Sequence, residues 1–275
     1  MSRGRAGVLT VLALITFAPR ADASVLFSNS ANGLSASASF TISGPAGSRQ
    51  LAVLVSNTDA ATGANAPTTA AGVLTGVFFN LGTSTFTPVS AKLEAKASII
   101  QTSKCDVNCV GKTNVGGEFS YAQGGVGFLP GDTQGVSSAG YLNKNTSQGN
   151  FPGGTDYDGQ KSISGIEFGI VPDGWQAGSG NSSLDAVALV EGTVKFVLNI
   201  PDGLKEADIK NVYFTYGTSP TDGLSGISSG VTKNASSSSA SFTGPLSVPE
   251  PASLSLLGLA LAGLGYRLRL RRRTA

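Results

Sequence analysis

Val89-Ser-Ala-Lys-Leu-Glu-Ala-Lys-Ala-Ser-Ile99 alternates apolar and polar residues without a break. Val89, Ala91, Leu93, Ala95, Ala97 and Ile99 share one phase of a two-residue period, and Ser90, Lys92, Glu94, Lys96 and Ser98 share the other. Successive side chains of a strand point to opposite faces, so residues 89–99 are predicted to form one long strand, apolar inside and charged outside. A helix would scatter the six apolar positions around its circumference. Leu93 is expected in the core, with Lys92 and Glu94 in solvent.

Shorter or less regular runs of the same kind occur at residues 37–43, 50–56, 74–81, 118–122, 163–171, 186–200 and 209–216. Asp-Gly pairs starting at Asp158, Asp173, Asp202 and Asp222 punctuate them as turns. With 37 glycines and only 13% charged residues, the composition also favours strands and turns. Eight or more strands, each buried on one side, predict an all-β ectodomain, an antiparallel β-sandwich of jelly-roll or immunoglobulin-like kind. Little helix is expected, at most a turn near residues 204–208. One internal echo stands out: Val77-Phe-Phe-Asn-Leu-Gly-Thr-Ser84 and Val212-Tyr-Phe-Thr-Tyr-Gly-Thr-Ser219. It reads as a weak duplication, as two neighbouring strands of similar design, or as convergence on a strand ending at a glycine turn.

Residues 111–180 mostly depart from strand patterning and are rich in Gly, Ser, Asn and Asp, the composition of long surface loops. Residues 235–241 are entirely Ser and Ala, so residues 235–247 read as a flexible stalk.

The ends of the chain carry the strongest signals. Val248, Pro249, Glu250 and Pro251 precede an apolar run over residues 253–266 and then Arg267, Arg269, Arg271, Arg272 and Arg273. The prolines hold residues 248–251 extended, in a form that a protease can bind as a strand. A helix over residues 252–266 reaches about 22 Å, short of a hydrocarbon core of about 30 Å. Spanning therefore needs Leu268 and Leu270 as well, with the first arginines snorkelling. The arginines keep that end in the cytoplasm and the body of the protein outside. A permanent single-span anchor and a buried helix with a basic end are the alternatives. At the start, Arg3 and Arg5, an apolar stretch over residues 8–18, and Ala21 and Ala23 at the positions a signal peptidase reads make residues 1–23 a signal peptide, with Ser24 as the mature start. A retained N-terminal anchor is the alternative there. The expected organisation is a signal peptide at 1–23, an ectodomain at 24–234, a stalk at 235–247, and a sorting and membrane segment at 248–275.

The order Pro-Glu-Pro, apolar run, arginines resembles the PEP-CTERM sorting signal, by which Gram-negative bacteria hand exported proteins to an exosortase, a membrane-embedded cysteine transpeptidase-like enzyme. Residues 51–57, 72–81 and 211–218 are also similar, loosely, to exosortase-dependent bacterial surface proteins with a β-rich exported domain. The resemblance implies signal peptidase, exosortase and a transient inner-membrane stage as partners, then the cell surface or the extracellular space. It brings no activity with it.

Chemistry is sparse. Arg3, Arg5, Arg20 and the C-terminal arginines account for the formal charge of +2, so the part between the ends is mildly acidic and offers no basic patch for nucleic acid. The absence of histidine excludes Ser-His-Asp and Cys-His devices and the usual His-containing zinc sites. Cys105 and Cys109, in an exported chain, are expected to form a small disulfide that stabilises by about 2 kcal/mol; a redox role is the alternative. Asp156-Tyr-Asp158-Gly159 resembles the start of a calcium loop without its later ligands, so turn formation is the plainer reading, no cofactor is expected, and calcium is the one metal to consider. Glu118 with Glu167 or Asp173 is a conceivable glycosidase pair. Phe151, Tyr141, Tyr157 and Trp175 are either sugar-stacking platforms or a small core beneath the loops. Three function classes follow: a non-enzymatic surface or matrix protein acting in adhesion, biofilm or envelope structure, with exopolysaccharide as a potential partner; a carbohydrate-binding surface module; and a secreted carboxylate-dependent glycoside hydrolase.

Overall fold

The computed structural model describes residues 24–63, 66–123, 134–139, 147–157, 165–176, 184–218 and 232–236. Its strands are β1 (Ser24–Ala31), β2 (Leu34–Ser43), β3 (Gln50–Asn57), β4 (Leu74–Asn80), β5 (Thr87–Leu93), β6 (Ser98–Ile100), β7 (Ser120–Gln123), β8 (Gln134–Ser137), β9 (Ser147–Asn150), β10 (Ile170–Val171), β11 (Leu189–Glu191), β12 (Thr193–Asn199), β13 (Lys210–Tyr216) and β14 (Thr232–Ser236). The first sheet has the order β14-β1-β2-β3-β12-β5 and is antiparallel throughout. The second runs β6-β11-β10-β4-β8-β7-β9, with β13 on β4, and is mixed because β10 and β11 are parallel.

Alternation explains the first sheet. In β2 and β3 every second residue is buried, and Ala36, Ala38, Phe40, Ile42, Leu51, Val53 and Val55 form the inner layer. They join Leu74, Val77, Phe79, Phe214 and Tyr216 of the second sheet in one core. Edge-to-face aromatic contacts cross it, Phe27 on Phe40 at 5.5 Å and Phe40 on Phe79 at 5.3 Å between centroids. Phe119, Phe151, Tyr121 and Phe196 form a second aromatic chain. Each buried phenylalanine contributes about 2 kcal/mol through the apolar area removed from water. A separate small core of Val73, Ile166, Val171, Trp175, Leu184 and Leu189 holds down the segments around β10 and β11.

Residues 89–99 are not one strand. β5 stops at Leu93, Ala97 N–H bonds the Glu94 carbonyl at 3.0 Å, Lys96 takes φ +75°, and β6 then belongs to the other sheet. Ala95 is exposed and Ala97 half-buried, so the uninterrupted alternation spans a corner. Alanine is small enough to sit on either side of a turn, and the pattern therefore survives where the strand does not. Within β5 the reading holds from Ala91 to Leu93, with Ala91 and Leu93 buried and Lys92 exposed, but a register shift puts Pro88 rather than Val89 on the buried face; Glu94, just beyond, meets Lys195 at 3.5 Å in a partly exposed ion pair. Residues 186–200 likewise divide into β11 and β12 at Gly192, whose φ is +97°. Of the described residues of the expected run 163–171, which begin at Gly165, Ile170–Val171 pairs as a strand.

Two further corrections concern boundaries. Residues 111–180 contain β8 and β9 where loop was expected, besides β7 and β10 at the expected runs 118–122 and 163–171. β14 extends through Ala235 and Ser236, two residues into the expected stalk, because its polar backbone completes the edge beside β1. The chain also forms a 3-10 turn at Glu206–Asp208, where a turn was expected. Among the described residues no helix is long and apolar enough to cross a membrane, and the expected span, the stalk beyond Ser236 and the signal peptide lie outside them.

The echo resolves as a strand pair. β4 and β13 are antiparallel neighbours with Phe78 opposite Tyr213 and Val77 opposite Phe214, so the two blocks are related by a local two-fold. Their glycine turns lie at opposite ends of the pair.

Candidate functional site

Glu118 is the most buried of the candidate carboxylates, 1% exposed, and its Oε1 accepts the backbone N–H of Tyr157. The Tyr157 hydroxyl in turn donates to the Asn114 carbonyl at 3.0 Å, its ring stacks on Phe168, and its carbonyl accepts Val107 N–H at 3.0 Å. The group therefore staples residues 156–157 to the segment around the cysteines. Glycines permit the approach: a Cβ on Gly117 would fall 2.1 Å from the Thr155 carbonyl oxygen, and one on Gly154 would fall 2.0 Å from Gly117 N.

Asp173 is exposed on the turn that Trp175 N–H closes onto the Pro172 carbonyl at 3.1 Å, and Glu167 is half-buried. A glycosidase needs two carboxylates facing the same substrate. Glu118 is not available for that: it faces inward and is occupied by a backbone amide. The aromatic candidates also face inward. Trp175 is 3% exposed and donates its indole N–H to the Pro67 carbonyl at 2.9 Å, while Phe151 and Tyr157 lie in the main core. They are the core beneath the loops rather than sugar platforms. Tyr141, Asp158 and Gly159 lie outside the described residues, and among those described no three His, Cys, Asp or Glu side chains gather to hold a metal ion.

Cys105 and Cys109 are disulfide-bonded, with Cα atoms 6.2 Å apart. Cys109 is buried against the core, and the loop turns Val107 and Val110 toward solvent. Their placement after β6, tied to Tyr157, makes the bridge a clamp on the loop layer.

Two features escaped the sequence. The first is a buried polar node where β3 hands over to β4. Asn57 Nδ2 donates to the carbonyls of Gly72 at 3.0 Å and Ile170 at 3.1 Å, and its Oδ1 accepts Asp59 N–H at 3.0 Å. Asp59 Oδ2 and the Tyr216 hydroxyl are buried there without a hydrogen-bond partner. Burial raises the Asp59 carboxyl from an ordinary 3.8 to about 6, against a smaller opposing effect of a hydrogen bond from the Ser35 backbone. Burial, and then the Asp59 charge, hold the Tyr216 phenol well above its ordinary value. Asn-Thr-Asp reads as an ordinary loop start in the sequence, and nothing there signals its depth.

The second is an open polar groove of about 550 Å³ between residues 80–84 and a wall of residues 202–204, Asp208 and Lys210. Its carboxylates serve the fold: both Asp202 oxygens accept Gly47 N–H, at 3.0 and 2.9 Å, and Asp208 Oδ2 accepts Lys205 N–H at 3.0 Å. No catalytic constellation is assembled in it.

The sorting residues Val248, Pro249, Glu250 and Pro251, the five C-terminal arginines, and Ala21 and Ala23 lie outside the described residues. No curated protein and no solved structure matches the chain. Residues 247–273 match the family model of the PEP-CTERM protein-sorting motif, which implies export, membrane-associated sorting by an exosortase, and delivery to the cell surface.

Proposed function

We propose that this chain is an exported, exosortase-sorted protein of the cell surface or extracellular matrix, without catalytic activity, that serves in adhesion, biofilm or envelope structure. The observation that carries the reading is the sorting motif at residues 247–273 behind an all-β ectodomain. The use of Glu118, Tyr157, Phe151 and Trp175 in internal hydrogen bonds and packing supports a structural module over a carbohydrate-binding or hydrolytic one. On this reading signal peptidase removes residues 1–23, the apolar C-terminal segment holds the chain in the inner membrane, and exosortase cuts after the Pro-Glu-Pro stretch.

Intact-mass analysis of protein released from the surface tests the sorting step. The expected mass ends near Pro251, and a surface form that still contains Arg273 overturns it. Incubation of the mature protein with polysaccharides tests the non-enzymatic role. Turnover abolished by Glu167→Gln in a folded variant would overturn it in favour of a hydrolase.

A further inference from the structure

We infer that the outer face of the first sheet is a docking surface for a second copy of this chain, two mature proteins packing sheet on sheet. The face belongs to the described fold and not to the sorting segment, so its role goes beyond the reading above.

Strand register lays the face out. One phase of β1, β2, β3 and β12 points into the core, and the other points outward and keeps part of its surface in solvent at every position. Leu26, Ser39, Leu54, Lys195 and Lys92 lie side by side in one row across β1, β2, β3, β12 and β5. In the next row Ala52 of β3 adjoins Val197 of β12. Polar pairs bonded to each other close both ends of this apolar centre: Ser56 Oγ and Thr193 Oγ1 at 2.7 Å, and Gln50 Nε2 donating to Asn199 Oδ1 at 3.1 Å. An apolar centre inside a polar rim is the anatomy of a protein–protein interface. A saccharide fits less well, because no outward position of these five strands carries a ring to stack on and the rim uses hydrogen bonds internally.

A second sheet fits in shape, size and charge. Stacked sheets lie about 10 Å apart with their side chains interdigitated. Ser39 is the short side chain between Leu26 and Leu54, a furrow between two ridges, so a leucine of one copy seats over the serine of the other. That relation is reciprocal, as a two-fold dimer requires. Five strands about 4.8 Å apart and eight residues long, the length of β3, make a face of about 24 Å by 26 Å, so two copies bury about 1,200 Å², the lower end of stable interfaces. Lys195 and Lys92 are direct neighbours on the β5 side, with Glu94 on Lys195 at 3.5 Å. A two-fold axis parallel to the strands lays that side over residues 24–28 of the other copy, whereas an axis across the strands would stack lysine on lysine.

Sedimentation of the mature protein over a concentration series, wild type beside Ser39→Glu, tests the dimer. Wild type should pass from monomer to dimer with a dissociation constant on the order of micromolar. Ser39→Glu puts a charge at the centre of the face and should raise that constant by about tenfold or more. Because a charge on a central strand can also weaken the fold, Ser39→Cys and Thr83→Cys supply a second measurement. Treated with a short bismaleimide, the first should cross-link to a dimer and the second, exposed beyond β4 of the other sheet, should not; Cys105 and Cys109 are bonded to each other and do not react. A monomer at every concentration, a dimer that survives Ser39→Glu, or equal cross-linking through both cysteines would overturn the proposal. So would a monomer whose Ser39→Cys resists maleimide, since the chain itself would then cover the face. Polysaccharide binding by a monomer, lost in a folded Ser39→Glu, would overturn it too and assign the face to that partner.

Discussion

Asp59→Asn should make the protein more stable at neutral pH, which is an unusual outcome for a half-buried carboxylate with a backbone hydrogen bond. The side chain is held where β3 leaves the first sheet, with one oxygen buried and unpartnered and with its carboxyl raised to about 6. Between about pH 4 and pH 6 the folded protein therefore holds a proton at this site that the unfolded chain has already released. Stability from the protonated group is fully present below about pH 4 and is lost as pH rises through about 6. A displacement of about two units corresponds to an upper limit of about 3 kcal/mol. Because the group is only partly buried, solvent screening reduces the expected effect to about 1 kcal/mol. Asparagine keeps an acceptor for the Ser35 N–H and carries no charge.

Urea melts of wild type and variant at pH 4, 5, 6 and 7 give the comparison. The two should have nearly equal stability at about pH 4 and below, and the variant should lead by about 1 kcal/mol at pH 7, with the change falling between about pH 4 and pH 6 and levelling off above it. Taking the difference between the two proteins cancels the titration of every other carboxylate. A difference that does not vary with pH, or a variant that is weaker at pH 7, would refute the burial argument.

Tyr216→Phe removes a buried hydroxyl that has no hydrogen-bond partner, so it should stabilise the fold by up to about 1 kcal/mol rather than weaken it, as thermal melts at pH 7 would show. Leu93→Asp places an unpaired charge in the core beside Val194 and should abolish cooperative unfolding, whereas Lys92→Ser, at an exposed position, should change stability by less than about 0.5 kcal/mol; equal denaturant midpoints for the two would count against the β5 assignment. Freshly purified, unreduced mature protein should take up no thiol reagent, and two labels should appear after reduction, from Cys105 and Cys109.

The fold was legible in the sequence for most of its strands longer than about five residues, although β1, eight residues of alternating burial, was not among the expected runs. β2 and β3 fall close to their expected runs because Phe40 and Val53 mark an alternating inner face, whereas β4 and β13, buried on both faces over much of their length, stand out as apolar runs. The errors occur where phase and backbone separate. Ala95 and Ala97 continue the pattern of β5 through a left-handed residue at Lys96, and hydropathy has no means of registering that turn. β8 and β9, unlike β7 at the expected run 118–122, were missed because four residues are too few to show a period, and β8 carries a glycine because Gly135 packs its backbone on the Phe78 ring, where a Cβ would fall 2.5 Å from Cδ1. β14 is Thr-Lys-Asn-Ala-Ser, and it is a strand only because β1 offers it an open edge. Of the candidate site, the Cys105–Cys109 bridge was readable from spacing and export alone. The Asp59 node was not, since its depth comes from β10 and the 3-10 turn at Ala70–Gly72, distant in sequence, closing over Asn57.

The same contrast explains why the ends of this chain disclose so much and its middle so little about function. A sorting signal is read as a linear string of prolines, apolar residues and arginines, and its chemistry is complete in one dimension. An ectodomain acts through whatever its fold brings to the surface, and here the residues with the most distinctive chemistry turn inward: Trp175 onto Pro67, Tyr157 onto Asn114, Glu118 onto the Tyr157 amide. Among the described residues the large apolar side chains left exposed are Val107 and Val110, both beside the disulfide. The surface of the described residues therefore offers recognition chiefly through backbone, small polar side chains and the shape of the turns. Replacing a single exposed side chain on a turn should therefore alter binding less than changing the length of that turn, and insertions there are the more informative perturbation.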